Sequence, residues 1–186
     1  MVVTKEWFTV EEAAEYLCVS KRTIYKLTRE GVINVSKFTD ILTVSPLADG
    51  KTWVTRKEFG YDIGEEGSGD SIDVPIGFMT DFASVPRLLW VFIPRWGKYG
   101  NAAVIHDYCY WFQMFSRKES DRIFCEAMEV LKVPKYKIFL MYYAVRLGGW
   151  SAWSGNKRLK KKGINKVAAI MPTKSTEVTA SLQAKQ

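Results

Sequence analysis

The chain has 186 residues, 47% of them hydrophobic and 14% aromatic, which is enough apolar surface to close a core and too much for a disordered polymer. Its three cysteines, Cys18, Cys109 and Cys125, are odd in number and lack a CxxC spacing, which argues against a disulfide scaffold and a cysteine-rich zinc site and for a reducing, cytosolic setting. The formal net charge of +7 sits in one place: residues 1–35 hold five basic and five acidic side chains, residues 36–155 fourteen of each, and residues 156–186 eight basic against one acidic. The longest apolar runs, "LLWVFIP" and "IFLMYYAV", fall short of the ~20 residues of a membrane helix, so no membrane partner is expected.

In chain order, "FTVEEAAEYLCVSKRTIYKLTREGVI" predicts two short helices with a tight connection. Thr9 and Glu12 form a capping box, and Val10, Ala13, Ala14 and Leu17 follow the helical period. Ser20 caps a second helix whose inner positions are Ile24 and Leu27, and Gly31 is placed to end it. This is helix-turn-helix organisation. On the second helix Lys21, Arg22, Lys26 and Arg29 are interleaved with Thr23 and Tyr25, the side-chain types that reach phosphates and base edges when such a helix lies in the major groove.

The segment resembles the helix-turn-helix of the excisionase and MerR-like family over residues 7–33, on the pattern "EAAEYLxVSxxTIYxLxREGxI". The resemblance implies that Ser20, Lys21, Arg22, Thr23, Tyr25 and Lys26 face duplex DNA. In that family a basic, aromatic β wing follows; here "NVSKFTDILTVSPL" stands in its place and lacks that pattern.

From residue 36 the period changes. Two β-like runs flank a turn at Ala48-Asp49-Gly50, "GEEGSGD" is a loop, and "SIDVPIGF" is a further strand. Helices follow. One begins near Ser84 and Pro86, one at Asn101, one at the Ser116–Glu119 capping box, and one opens at Pro134 and runs to Gly148-Gly149. The expected fold is α+β: an N-terminal helix-turn-helix (1–35), then a small antiparallel β-sheet packed with about four helices (36–155), then a basic, structureless tail (156–186). The stretches "DVPIGFMTDFASVPR", "AAVIHDYCYW", "SDRIFCEAMEVLKV" and "YYAVRLGGWSAW" make residues 37–153 similar to the phage and prophage domain-of-unknown-function family numbered 1353, which implies a mobile-element setting and no particular reaction.

His106, the single histidine, is followed by Asp107. Adjacent residues on a helix diverge by about 100° and cannot pair, so a carboxylate orienting His106 must come from Asp81 or Asp121. One histidine is too few for the multi-histidine metal sites of phosphohydrolases, which leaves only a carboxylate-rich site built from Asp81, Asp107 or Asp121 with His106, and no metal site is expected. Ser84 is not in a GxSxG elbow, Cys109 falls on the apolar face, and phosphate-loop and dinucleotide fingerprints are absent, so no cofactor is expected. Asp81, Ser84 and Arg87 have a structural alternative, holding a bend between the last strand and the first long helix. The aromatic side chains are mostly core residues, with Trp90, Trp96, Trp150 and Trp153 placed for an exposed surface.

Three functions are compatible with these features. The first is a DNA-binding accessory or regulatory protein of the host-cell cytoplasm, reading duplex DNA through residues 7–33, with the α+β domain as an interaction module and a homodimer plausible. The second is a non-catalytic, anti-CRISPR-like inhibitor of a host defence nuclease. The third is a hydrolase centred on His106, Asp81 and Asp121, against an overall expectation that the protein is not an enzyme.

Overall fold

A computed structural model describes residues 13–15, 17–29, 37–64, 70–82 and 97–168. The Thr9–Glu12 capping box, the stop at Gly31, the bend residues Ser84 and Arg87, and Trp90 and Trp96 lie outside the described residues. The chain divides into two compact units that do not follow sequence order: Met1–Ile41 with Phe59–Asp73, and Leu42–Glu58 with Val74–Gln186. This division crosses the boundary drawn at residue 35 because β-pairing returns residues 59–62 to the N-terminal segment: Thr39 N donates to the Gly60 carbonyl, Asp62 N to that of Lys37, and Phe38 bridges Tyr61.

In the first unit, residues 13–15 are helical and Ala13 and Ala14 are buried. The chain then turns through Cys18, whose φ is 53°, as Leu17 N and Val19 N bond back to the carbonyls of Ala13 and Ala14. Ser20 Oγ accepts from Thr23 N at 3.2 Å and so caps α1, Lys21–Arg29. Ile24 is fully buried beneath the helix. The unit also holds an antiparallel ribbon of β3, Phe59–Asp62, and β4, Ser71–Val74, with Phe38 stacked on Phe59 at 5.6 Å.

The second unit contains a three-stranded antiparallel sheet in the order β1 (Val44–Pro46), β2 (Trp53–Thr55), β5 (Met79–Thr80). The β1–β2 turn falls where the sequence placed it: Gly50 takes a φ of 64°, and Asp49 Oδ1 accepts from the amides of Lys51 and Thr52. The expected strand "SIDVPIGF" is in fact β4, a turn at Gly77 (φ 87°) and the lead into β5, so one sheet becomes two.

Three helices complete the unit: α2, Gly100–Phe112; α3, Arg117–Val130; and α4, Lys135–Lys161. Asn101 does not cap α2, whose N-cap is Tyr99 with no side-chain bond. Ser116 caps α3 as expected, its Oγ accepting from Glu119 N at 3.2 Å. Helix α2 packs against α3, α4 and β5 and is buried on nearly every side, so it lacks the single apolar face that its sequence suggested.

Helix α4 does not stop at Gly148-Gly149. It ends thirteen residues later in a Schellman motif: Gly163, with φ 76°, donates to the Lys160 carbonyl, and Ile164 N reaches back to that of Leu159. Gly149 serves close approach instead. A Cβ there would lie 2.5 Å from Tyr110 Oη and 3.3 Å from two of its ring atoms. The segment after α4 is also ordered where a structureless tail was expected from residue 156. Val167 bridges Phe78, Met79 N donates to the Lys166 carbonyl, and Ala168 N to that of Gly77. Backbone pairing to a strand edge leaves no trace in a Lys-rich sequence. Trp111 is core, whereas Tyr143 and Trp150 on α4 are exposed, together with Tyr136, Phe139 and Leu147. Among the described residues, no helix is long and apolar enough to cross a membrane.

Candidate functional site

The lone histidine sits at the centre of a charged network. Positions 103, 106, 107 and 110 share one stripe of α2 by helical spacing, and all four line a cavity of about 100 Å³ in the second unit. His106 Nε2 lies 3.0 Å from Asp121 Oδ1 across the α2–α3 interface. Of the two carboxylates proposed to orient His106, therefore, Asp121 does so; it is completely buried. Tyr110 Oη donates to the same oxygen at 2.6 Å, Arg146 donates to Oδ2 at 2.7 Å, and Arg117 stands 3.7 Å from Oδ2. Gly149 makes room for the tyrosine, and Arg117 fixes α4 by donating to the carbonyls of Val145 and Arg146.

Electrostatics follow from this arrangement. Burial alone would raise the Asp121 pKa, but hydrogen bonds from His106, Tyr110 and Arg146 outweigh it and hold the carboxyl below its usual range. Burial also pulls His106 below the ordinary imidazole value, only partly offset by Asp121. At neutral pH the pair is a carboxylate accepting from a neutral imidazole. Nε2 must then carry the proton, and Nδ1 is left with its lone pair. Burial and Asp121 push the Tyr110 hydroxyl up, so it remains a donor.

Asp81 goes elsewhere. It hydrogen-bonds Asp107, and Thr80 Oγ1 donates to Asp107 Oδ2 at 2.5 Å while accepting from Phe82 N. The chain turns sharply here, with buried Phe82 in the left-handed region at φ 61°. Burial and then the Asp81 charge raise Asp107 to about 7, against the pull of Lys166 and Thr80. Lys166 reaches the cavity because residues 166–168 pair with the edge of the sheet. Lys166 stood outside the sequence-derived candidates, whereas Asp107 was weighed there as a carboxylate but not taken into the hydrolase set of His106, Asp81 and Asp121. The four-residue spacings from Ala103 to Asp107 and from His106 to Tyr110 were the available signal for Asp107; nothing local marked Lys166. Cys109 points away, buried, with its thiol pushed up to about 12 by desolvation. Among the described residues, no cluster of three or more His, Cys, Asp or Glu is placed to hold a metal ion.

On α1, Lys21, Arg22 and Lys26 are exposed, Thr23 is half-buried and Ser20 is committed to the cap. The side chains of Tyr25 and Arg29 lie outside what the structure describes.

Fold and sites together define an α+β protein that couples a helix-turn-helix to a domain with a buried His–Asp pair beside a cavity. The chain belongs to the family described as protein of unknown function (DUF1353), whose model matches residues 53–145, and residues 7–40 match a helix-turn-helix domain, which supports DNA binding. A curated relative, the uncharacterized protein y4jT of Sinorhizobium fredii (strain NBRC 101917 / NGR234), is 34% identical over 94 residues, covering 50% of this chain. The chain spans only 27% of that relative's length. No solved structure matches the chain.

Proposed function

We propose that the protein is a DNA-binding accessory or regulatory factor of phage or prophage type, acting in the host-cell cytoplasm. In this reading the helix-turn-helix of residues 7–33 reads duplex DNA, the α+β domain contacts other components, and the basic C-terminal residues add a sequence-independent attraction. The observation that carries it is the exposure of Lys21, Arg22 and Lys26 on one capped helix whose opposite side is pinned by fully buried Ile24. Three cations held on a rigid helix lose little freedom on meeting phosphates, unlike cations on a loose chain. Lys21 and Arg22 stand in the first turn, where the helix dipole also favours a phosphate.

A duplex titration over a salt series tests this. The full chain is compared with Lys21→Ala/Arg22→Ala and with Lys174→Ala/Lys185→Ala. The helix variant is expected to weaken binding and to lower the slope of log K against log salt by about two, roughly one for each cation removed. If only the tail variant weakens binding, the helix-turn-helix is not the reading element.

A further inference from the structure

The network around His106 contains more chemistry than packing requires. A buried imidazole is most simply satisfied through both nitrogens, yet Asp121 takes only Nε2. His106 makes no hydrogen bond through Nδ1 among the described residues, and it lines the cavity. Facing it in the same cavity are the Asp81–Asp107 pair and Lys166. The apolar wall comes from Phe82, Phe124, Met141 and Ala152.

We propose that this cavity is a hydrolytic site for uncharged carboxylic esters, with His106 as the general base that activates water. Asp121 is its positioning residue, held by Tyr110 and Arg146. In the first step Nδ1 removes a proton from water as the water oxygen bonds to the ester carbonyl carbon, and the carbonyl π pair moves onto oxygen. Lys166, on the wall of the same cavity, stabilises that oxyanion. In the second step the C–O bond to the alcohol breaks, and the imidazolium returns its proton to the departing alkoxide. Ester and water give acid and alcohol, His106 ends neutral, and no other reactant is consumed.

The substrate class follows from charge and size. A phosphodiester would set its negative charge against the Asp81–Asp107 pair with one lysine to compensate, whereas an ester carbonyl enters uncharged. A volume of about 100 Å³ holds roughly three water molecules at ~30 Å³ each, so the reacting group and a short chain fit. Water, and not a side chain, is the nucleophile: the cavity serine, Ser151, donates its hydroxyl to the Gly148 carbonyl, and Cys109 is buried elsewhere. This activity is independent of DNA binding and goes beyond it.

The test uses the purified full chain and p-nitrophenyl acetate, butyrate and hexanoate, with kcat/KM measured from pH 5 to 9. His106→Gln keeps an N–H for Asp121 and is expected to lose about a hundredfold or more of kcat/KM. Asp121→Asn is expected to lose no more than His106→Gln does, by turning the imidazole to the wrong tautomer, and to move the acidic limb of the residual profile, which a purely structural role would leave in place. Because that variant removes a buried charge and risks the fold, Ala152→Leu provides a second reading by filling the cavity without touching the pair. It is expected to abolish turnover while thermal unfolding and DNA titration stay as in the wild type. Wild-type rates no higher than those of His106→Gln on all three esters would overturn the proposal. So would an Ala152→Leu chain that stays folded and fully active.

Discussion

The substitution Gly149→Ala separates close packing from helix propensity. In an exposed helix interior, replacing glycine by alanine stabilises by about 1 kcal/mol, because the backbone of the unfolded chain has less freedom to lose. At Gly149 the new Cβ would sit 2.5 Å from Tyr110 Oη and 3.3 Å from two ring atoms, closer than packed atoms approach. The tyrosine must withdraw, and it is held in place by Trp153 at 5.1 Å and His106 at 4.2 Å between ring centroids. Its 2.6 Å bond to Asp121 is the contact that breaks. A hydrogen bond to a buried carboxylate contributes about 1.5–3 kcal/mol, so after the propensity gain the variant should be destabilised by about 1–2 kcal/mol. Gly155, on the same helix, is the matched control, because a Cβ there meets nothing within 4 Å. Gly155→Ala should therefore be stabilised by about 1 kcal/mol. Denaturant titrations of both variants, compared by midpoint at unchanged slope, give the two signs directly. If both alanines stabilise equally, the Gly149–Tyr110 approach does not hold the network together.

Three further outcomes follow from the same geometry. Asp121→Asn leaves Arg146 and His106 facing a neutral group at a fully buried position, and unfolding should show a loss of about 3–5 kcal/mol, against less than about 1 kcal/mol for Glu119→Gln in the exposed Arg122 pair. Asp107, raised to about 7, binds a proton in the fold that the unfolded chain has released above the ordinary carboxyl value of 3.8, so it costs stability increasingly as pH rises from about 4 to 7. Asp107→Asn should accordingly gain on the wild type across that window in denaturation midpoints at pH 4.5, 6 and 7.5, and a constant difference would contradict the assignment. His106 has the opposite sign: its lowered pKa leaves the fold short of a proton that the unfolded chain takes up, so its contribution is lost as pH falls below the ordinary imidazole value of 6.5. His106→Gln should flatten that part of the acid limb of stability.

Local signals in the sequence were reliable where the physics is local. The caps at Ser20 and Ser116 and the turn at Asp49-Gly50 are side-chain and backbone preferences acting within three or four residues, and all stand as read. Of the apolar positions read from the period, Ala13, Ala14 and Ile24 are buried, whereas Leu17 is exposed. What was not legible depends on residues far apart in the chain. Gly148-Gly149 reads as a helix stop because glycine weakens helices, yet Gly149 is set by Tyr110, thirty-nine residues earlier. Lys166 looks like one more cation in a basic run, and only its pairing with the Gly77–Met79 edge brings it to the cavity. For His106 the spacing argument excluded Asp107 as a partner and left Asp81 and Asp121 open; the packing of α2 against α3 selects Asp121. Asp81 instead meets Asp107.

The claim that the helix-turn-helix reads DNA is tested most directly by selection from a random duplex library, run in parallel with the full chain and with Lys21→Ala/Arg22→Ala at a salt concentration that suppresses nonspecific binding. The account predicts a consensus enriched by the full chain and lost with the variant. No consensus from the full chain, or the same consensus from both proteins, would contradict it.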